Sequence, residues 1–437
     1  GDGGTTRLIS VFEVPSGGDA AGLAQAVKQI SGGAGFSPLM PAIPAFRIAR
    51  ASHWLKELNQ PRATAGGMAE QTDDTRCSPM VGILKKYLTY HAEVVARLRQ
   101  GAAAPQEQDR LLIYRCSALG FCGGHGDRLN GLLGVFALAL ASNRAFFIDS
   151  ARPVHLHLVL KPRRRSKACS KAKGDLLLDW RISSAVGAVG RRTNYNDRHQ
   201  DIIADLPWLL SGESENVVVM HSNQRTTIEV LESEMAMARL GDVARELLAM
   251  PFLHAELLEL LFEPTPLLAV RFATVSRAAR NGRPKLLGVH FRAGNRSPKR
   301  WNDPPRHGLA EFEAFLSCAV SLEKALGWRD EDVAFYVATD TTEVESLPSF
   351  QDLRRRGKLA FLPAGHQDAS IIHLDRSQIS LAVEGVVDTW AQWLTLAASD
   401  AAVLSASNFG VLAAEAGRLR TAFLGAQGCI PMDVIAA

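Results

Sequence analysis

From Lys285 to Leu424 the chain alternates short apolar runs of strand length with longer segments of helical period, and nothing else in it limits the fold as much. The runs Lys285 to His290, Val333 to Thr339, Leu359 to Leu362, Ala401 to Ser405 and Thr421 to Leu424 read as strands. Between them lie helical segments at Leu309 to Leu326, Val383 to Ala398 and Phe409 to Arg418, with a short one starting at Val344 to Leu347. Strands alternating with helices give a parallel sheet covered on both faces. The same pattern starts earlier, with a strand at Leu111 to Arg115, a Gly-rich turn, a helix over about Leu129 to Ser142 and a strand at Ala145 to Asp149. Val217 to His221 reads as another strand and Leu253 to Phe262 as a helix, and the Pro264-Thr-Pro266 step after it marks a boundary. Two such halves in tandem place a cleft between them.

At 437 residues the chain is too long for one ordinary core. The expected division is an irregular, stem-like N-terminal extension over 1–108, a first Rossmann-like domain over 109–266 and a second over 267–437. The extension carries Gly/Pro/Ala-rich stretches, one helix over about Pro79 to Gln100, and a linker at Gly101 to Pro105. Charged residues make up 22% of the chain and the net charge is only +4, which argues against bulk nucleic-acid binding. No apolar run reaches membrane-spanning length: the longest, Leu132 to Ile148, is cut by Asn143 and Arg144. The basic stretch Lys161 to Lys173 reads as a solvated surface insertion.

The six cysteines, at 77, 116, 122, 169, 318 and 429, match no zinc spacing. Cys116 and Cys122 flank a short turn and would bridge in an oxidising compartment; in a reducing one all six are buried thiols. The sequon Asn295-Arg296-Ser297 is followed by Pro298 and adjoins the candidate site, which disfavours glycosylation. His155 and His157 form a period-two pair on one strand face, with no metal-ligand spacing around them. There is no P-loop and no nucleophile elbow.

Chemistry-bearing residues gather at strand ends. His290-Phe291-Arg292 closes one apolar strand, Thr339-Asp340-Thr341 ends the next, and Ser405-Ala406-Ser407-Asn408-Phe409-Gly410 leads into a helix. Ligands of parallel α/β sheets bind in the crevice outside the carboxyl ends of the strands. Arg holds a phosphate through parallel N–H bonds, His adds one more donor, and a helix start of small residues offers free N–H groups. Asp340 suits a ribose hydroxyl or a base N–H, or else caps the helix after it; Ser407 likewise is a phosphate ligand or a cap. In the first half, the Gly-rich turn Gly120 to Gly131 puts His125, Asp127, Arg128 and Asn130 at a strand-to-helix junction. The set suits a diphosphate held without an obligatory metal.

These segments resemble the fucosyltransferase superfamily of GT-B fold, which includes xyloglucan, protein O- and α1,6-fucosyltransferases. The resemblance rests on Gly124-His-Gly-Asp-Arg128-Leu-Asn130-Gly, Gly288-Val-His290-Phe-Arg292, Ala338-Thr-Asp340-Thr, and Asp388 to Asp400 continuing through Ser405-Ala-Ser407-Asn-Phe409-Gly. It covers about Leu111 to the C-terminus. It implies an α/β GT-B fold, two Rossmann-like doubly wound domains facing a cleft, and inverting transfer of fucose from GDP-fucose to a glycan or protein hydroxyl. No cofactor and no obligatory metal are implied. By the resemblance Arg292 contacts the GDP phosphates with His290 in support, Asp340 meets the guanosine, and Asp388 positions the donor face. Ser407, Asn408, Phe409 and Gly410 hold the β-phosphate, and Arg128 and Asn130 close on donor or acceptor. Asp127 and His125 are the candidate bases. Relatives that carry a second Arg and a carboxylate after the His-x-Arg contrast with Ala293 and Asn295 here. That departure keeps two alternatives open: a non-catalytic GT-B-like binding or structural protein, and a transferase for another nucleotide sugar. The resemblance also implies disulfides and the lumen of the secretory pathway (Golgi or ER) or the exterior, with any membrane anchor outside these residues.

Overall fold

Two parallel sheets carry the architecture, one from each half of the chain. The computed structural model describes residues 79–433, apart from 101–108, 118–121, 165–176, 183–190, 196–198, 212–214, 295–304, 360–381 and 426–427. The extension before residue 79, the linker at 101–105, Cys77, Cys169, the sequon at Asn295 and most of the basic stretch therefore lie outside the described residues.

The first lobe runs through α1 (Pro79–Ile83), α2 (Lys85–Arg99), β1 (Leu111–Cys116), α3 (His125–Ser142), β2 (Ala145–Ser150), β3 (Leu160–Pro162), β4 (Arg191–Asn194), α4 (His199–Leu210) and β5 (Val217–His221). Four short helices follow: α5 (Thr227–Glu232), α6 (Glu234–Leu240), α7 (Asp242–Leu248) and α8 (Leu253–Leu261). Its sheet has the order β2-β1-β5-β4, all parallel. Alternate residues explain the two coats. Leu111, Ile113, Phe147 and Val219 pack beneath Val94 and Val95 of α2. Leu112, Tyr114, Phe146 and Met220 face the core that α3 fills with Leu129, Leu133 and Phe136.

The second lobe comprises β7 (Lys285–Phe291), α10 (Leu309–Ala325), β8 (Val333–Thr339), α11 (Pro348–Arg355), α12 (Ala382–Ala397), β9 (Ala401–Leu404), α13 (Asn408–Gly417), β10 (Arg420–Gly425) and β11 (Gly428–Asp433), and it is joined to the first by β6 (Phe262–Pro264) and α9 (Pro266–Arg280). The sheet order is β11-β10-β9-β7-β8, parallel except for β11. Phe291 buries against Phe312 and Phe315 of α10, while the other face of β7 meets α12: a Cβ on Gly288 would sit 2.5 Å from Leu396.

Several sequence expectations change. The helix read as starting near Leu129 begins at His125, because the Asp127 carboxylate accepts the Gly124 N–H (2.9 Å) and fixes the first turn. The helix over 79–100 is two helices broken at Leu84. At the Pro264-Thr-Pro266 step, read as a boundary, a helix also starts: the Thr265 hydroxyl sits at the N-cap and Pro266 opens α9. His155 and His157 stack in a 3-10 turn (5.1 Å), not on a strand. Leu359 makes a single bridge to Phe335, and the rest of that expected strand lies outside the described residues. Among the described residues two disulfides close, Cys116–Cys122 across the turn after β1 and Cys318–Cys429 from α10 to β11.

Candidate active site at the lobe junction

Each sheet reverses its winding once. In the second lobe β8 lies on one side of β7 and β9 on the other, so the reversal falls between β7 and β9. That is the position where the carboxyl ends of parallel strands leave a crevice. His290, Arg292 and the turn Ser405 to Asn408 are the residues that end those two strands. In the first lobe the reversal falls between β1 and β5, and the Gly-rich turn into α3 follows β1.

His290 and Arg292 share the β7 face that looks toward α13. His290 is buried, 3.0 Å from the Ser405 hydroxyl through Nδ1 and stacked on Phe409 (5.3 Å, 20°). A Cβ on Gly410 would sit 2.6 Å from that same nitrogen, so only glycine lets α13 approach. Burial, reinforced by Arg292 and His307, lowers the His290 pKa to about 3. It is a neutral ring holding the turn, not a second cation.

Arg292 lies beside Asp340, with Nε 3.3 Å from Oδ2. Asp340 also accepts the backbone N–H groups of Ala293 (2.7 Å) and Gly294 (3.0 Å). Burial raises its pKa against the pull of Arg292 and those amides. Asp340 thus shapes the loop that presents Arg292, and the cap of the following 3-10 turn is Thr342 instead. Ser407 occupies the N-cap position of α13, yet its hydroxyl makes no capping bond. A helix start of this kind can hold an anion through its N–H groups.

The first lobe meets this turn directly. Asn408 Nδ2 donates to Asp127 Oδ1 (2.6 Å). His125 enters an aromatic cage of Trp390 (4.4 Å, edge-on), Trp393 (5.5 Å) and Phe409 (5.5 Å). Burial and then Arg128 lower its pKa to about 3, so this sequence-marked base is a neutral plug between the lobes. Arg128 donates to the carbonyls of Gly123 and Arg152, tying the β1 turn to the loop after β2. Asn130 is buried, and among the described residues its amide has no partner. Asp388 stands apart from the turn, paired with Arg271 of α9 at 2.5 Å.

Sequence reasoning missed the clasp beside this junction. Glu415 of α13 pairs with Arg225 after β5 (2.5 Å), and His254 of α8 lies 3.1 Å away. Burial would raise the Glu415 pKa, but His254 and Arg225 pull it below the ordinary value. Arg418 reaches Glu256 and Glu259 of α8. The partners are up to 190 residues apart in sequence, and no local pattern marks them. Among the described residues no group of three or more His, Cys, Asp or Glu forms a metal site.

No family model and no curated protein matches the chain. A point mutant of Arabidopsis thaliana FUT1, a fucosyltransferase solved in complex with GDP, superimposes with a TM-score of 0.53 at 15% identity, covering 85% of this chain and 89% of that one. The chain has a GT-B, fucosyltransferase-like fold. The fucosyltransferase NodZ from Bradyrhizobium is 14% identical, covering 75% of this chain and 99% of that one, with a TM-score of 0.40.

Proposed function

We propose that this protein transfers fucose from GDP-fucose to a hydroxyl of a glycan or protein acceptor, with inversion at the sugar carbon. One observation carries the reading: the β7 and β9 strand ends flank the reversal of the sheet, placing Arg292 and the α13 N-terminus on the same crevice. The fold shared with FUT1, a protein solved with GDP, supports the choice of nucleotide.

The chemistry follows from these groups. The acceptor oxygen attacks C1 of fucose, the bond from C1 to the β-phosphate oxygen breaks, and the electron pair leaves with GDP. Negative charge grows on that phosphate, and Arg292 and the Ser407 hydroxyl at the crevice would receive it. One such prepositioned donor is worth about 3–4 kcal/mol in comparable sites. Asp340 would fix the Arg292 loop and, by the resemblance, reach toward guanosine. The acceptor proton passes to a base at the seam. Asp127 is the carboxylate placed there, since His125 is walled in by three rings. Two disulfides support an oxidising, secretory compartment.

GDP should raise the melting temperature, and UDP should not. Arg292→Ala should abolish the GDP shift. A shift with UDP alone, or a normal GDP shift in the variant, would remove this reading. A binding protein without turnover is the second reading. Its support is that Asp127 already gives both oxygens to Gly124 and Asn408. Measuring GDP-fucose hydrolysis separates the two.

A further inference from the structure

The first turn of α13 is held from behind by a residue outside the crevice. Trp393 of α12 is fully buried, and its indole Nε1–H donates to the Phe409 carbonyl (3.1 Å). An indole has this single donor, and a buried one costs stability unless it is met. That need alone does not account for the partner. Trp180 of the first lobe, also buried, gives its Nε1–H to the Leu261 carbonyl (2.7 Å) in the last turn of α8. Carbonyls at the end of a helix have no partner within it, so that bond fills an orphan acceptor. Phe409 instead lies in the first turn of α13, where the regular ladder already brings the Ala413 N–H to its carbonyl. The Trp393 bond is a second one, on an acceptor that did not lack a donor.

We propose that Trp393 is a positioning residue for the donor nucleotide: it fixes the peptide between Phe409 and Gly410 so that the Gly410 N–H stays aimed at the β-phosphate. The inference rests on the transferase reading above and deepens it at that same site. Three contacts converge on this one peptide. Its carbonyl accepts from the indole. The Phe409 ring stacks on His290 (5.3 Å, 20°), and a Cβ on Gly410 would sit 2.6 Å from His290 Nδ1. The peptide is thus gripped between α12 and β7, and it cannot tilt without losing one hold or the other. The first bond of the α13 ladder runs from the Val411 N–H to the Ser407 carbonyl (3.0 Å). Gly410 therefore carries the last N–H ahead of the ladder, in the turn whose N–H groups point out of the amino end of a helix. That end faces the crevice that Arg292 shares. A hydrogen bond to the carbonyl of a peptide also polarises the N–H of the same peptide, so the indole strengthens the donor that it aims.

The seat of Trp393 suits this role. At the carboxyl end of α13, a Cβ on Gly417 would sit 1.9 Å from the Ala397 carbonyl oxygen of α12. α12 holds α13 at both ends, by close backbone approach at Gly417 and through the indole at Phe409. Of the two holds, the indole is the one that bears on the crevice.

Titration calorimetry of the whole chain with GDP and GMP tests the assignment. Trp393→Phe keeps an aromatic ring and removes the N–H. GDP affinity should fall fivefold or more, while GMP, which lacks the β-phosphate, stays within twofold of wild type. Trp180→Phe removes the other buried indole bond and should leave both nucleotides within twofold. Should Trp393→Phe not fold, 3-benzothienylalanine at that position keeps the shape of the indole and lacks only its N–H, and the same two affinities are read. Unchanged GDP affinity in the variant overturns the inference. An equal loss of GDP and GMP overturns it too, since that marks a general loosening of the site, as does an equal loss of GDP in Trp180→Phe. A wild type that binds neither nucleotide sinks the transferase reading itself, and this inference with it.

Discussion

Gly126 of α3 and Asn408 at the start of α13 meet with no room for a side chain: a Cβ on Gly126 would lie 2.3 Å from the Asn408 carbonyl carbon and 2.5 Å from the Phe409 nitrogen. Backbone of the second lobe therefore rests directly on the first turn of α3. Gly126→Ala should push the turn away, costing roughly 1–3 kcal/mol as other overpacked contacts do and weakening GDP binding with it. Gly82→Ala in α1 meets nothing within 4 Å and serves as the control. Differential scanning fluorimetry with and without GDP reads both. A Gly126→Ala protein with unchanged melting and unchanged GDP shift would show that the turn is not held by this contact.

Asp340 organises the loop after β7, so Asp340→Asn should blunt the response to nucleotide. The amide keeps one acceptor oxygen and loses the other, leaving either Ala293 N–H or Gly294 N–H unmet at about 1–3 kcal/mol. Titration calorimetry should show GDP affinity reduced by tenfold or more with the fold retained by circular dichroism. Full affinity in the variant would detach Asp340 from the Arg292 loop.

Three histidines make stability fall in mild acid. Burial depresses His91 to about 4, and His125 and His290 to about 3, from an ordinary value of 6.5. Between those values the unfolded chain binds protons that the folded chain refuses. Stability is therefore complete above about pH 6.5 and declines as the pH drops toward 4, by roughly 1.4 kcal/mol per pH unit for each histidine. His125→Phe should fit the same aromatic cage and flatten the slope of melting temperature against pH. An unchanged slope would mean that His125 does not carry it.

Cys318–Cys429 encloses 111 residues and anchors the antiparallel edge strand β11 to α10. Closing a loop that long restricts the unfolded chain by about 4–5 kcal/mol in the chain-entropy view. Dithiothreitol, or Cys318→Ser with Cys429→Ser, should lower the melting temperature by several degrees. Equal melting with and without reductant would assign the bridge no structural weight.

Transfer, where detected, should persist in EDTA, since Arg292 and helix N–H groups neutralise the leaving phosphate in the proposed chemistry. Loss of activity that Mn²⁺ restores would contradict that role for Arg292.

Much of this frame was legible in the sequence, for a physical reason. Strands buried on both faces read as unbroken apolar runs, and Val217 to His221 and Val333 to Thr339 fall where the pattern puts them. The start of α3 was hidden because glycine is a poor helix former, and Gly126 and Gly131 are present for close approach instead. β11 was hidden by Pro431, tolerated because the strand lies at a sheet edge. His125 was legible as a residue with chemical potential but not as a caged ring. Its cage comes from Trp390, Trp393 and Phe409, which no local spacing can connect to it.

That cage bears on how such a protein can be rearranged. The plug belongs to one lobe and the three rings to the other, so the second lobe cannot be lifted out intact. Expressed alone it would present a tryptophan-lined socket to water, and grafted onto a foreign first lobe it would need a matching aromatic tenon at the position of His125. Chimeras of this chain are therefore expected to work only when α3 travels with α12 and α13, which makes the seam between lobes, and not the connecting helix, the true unit of exchange.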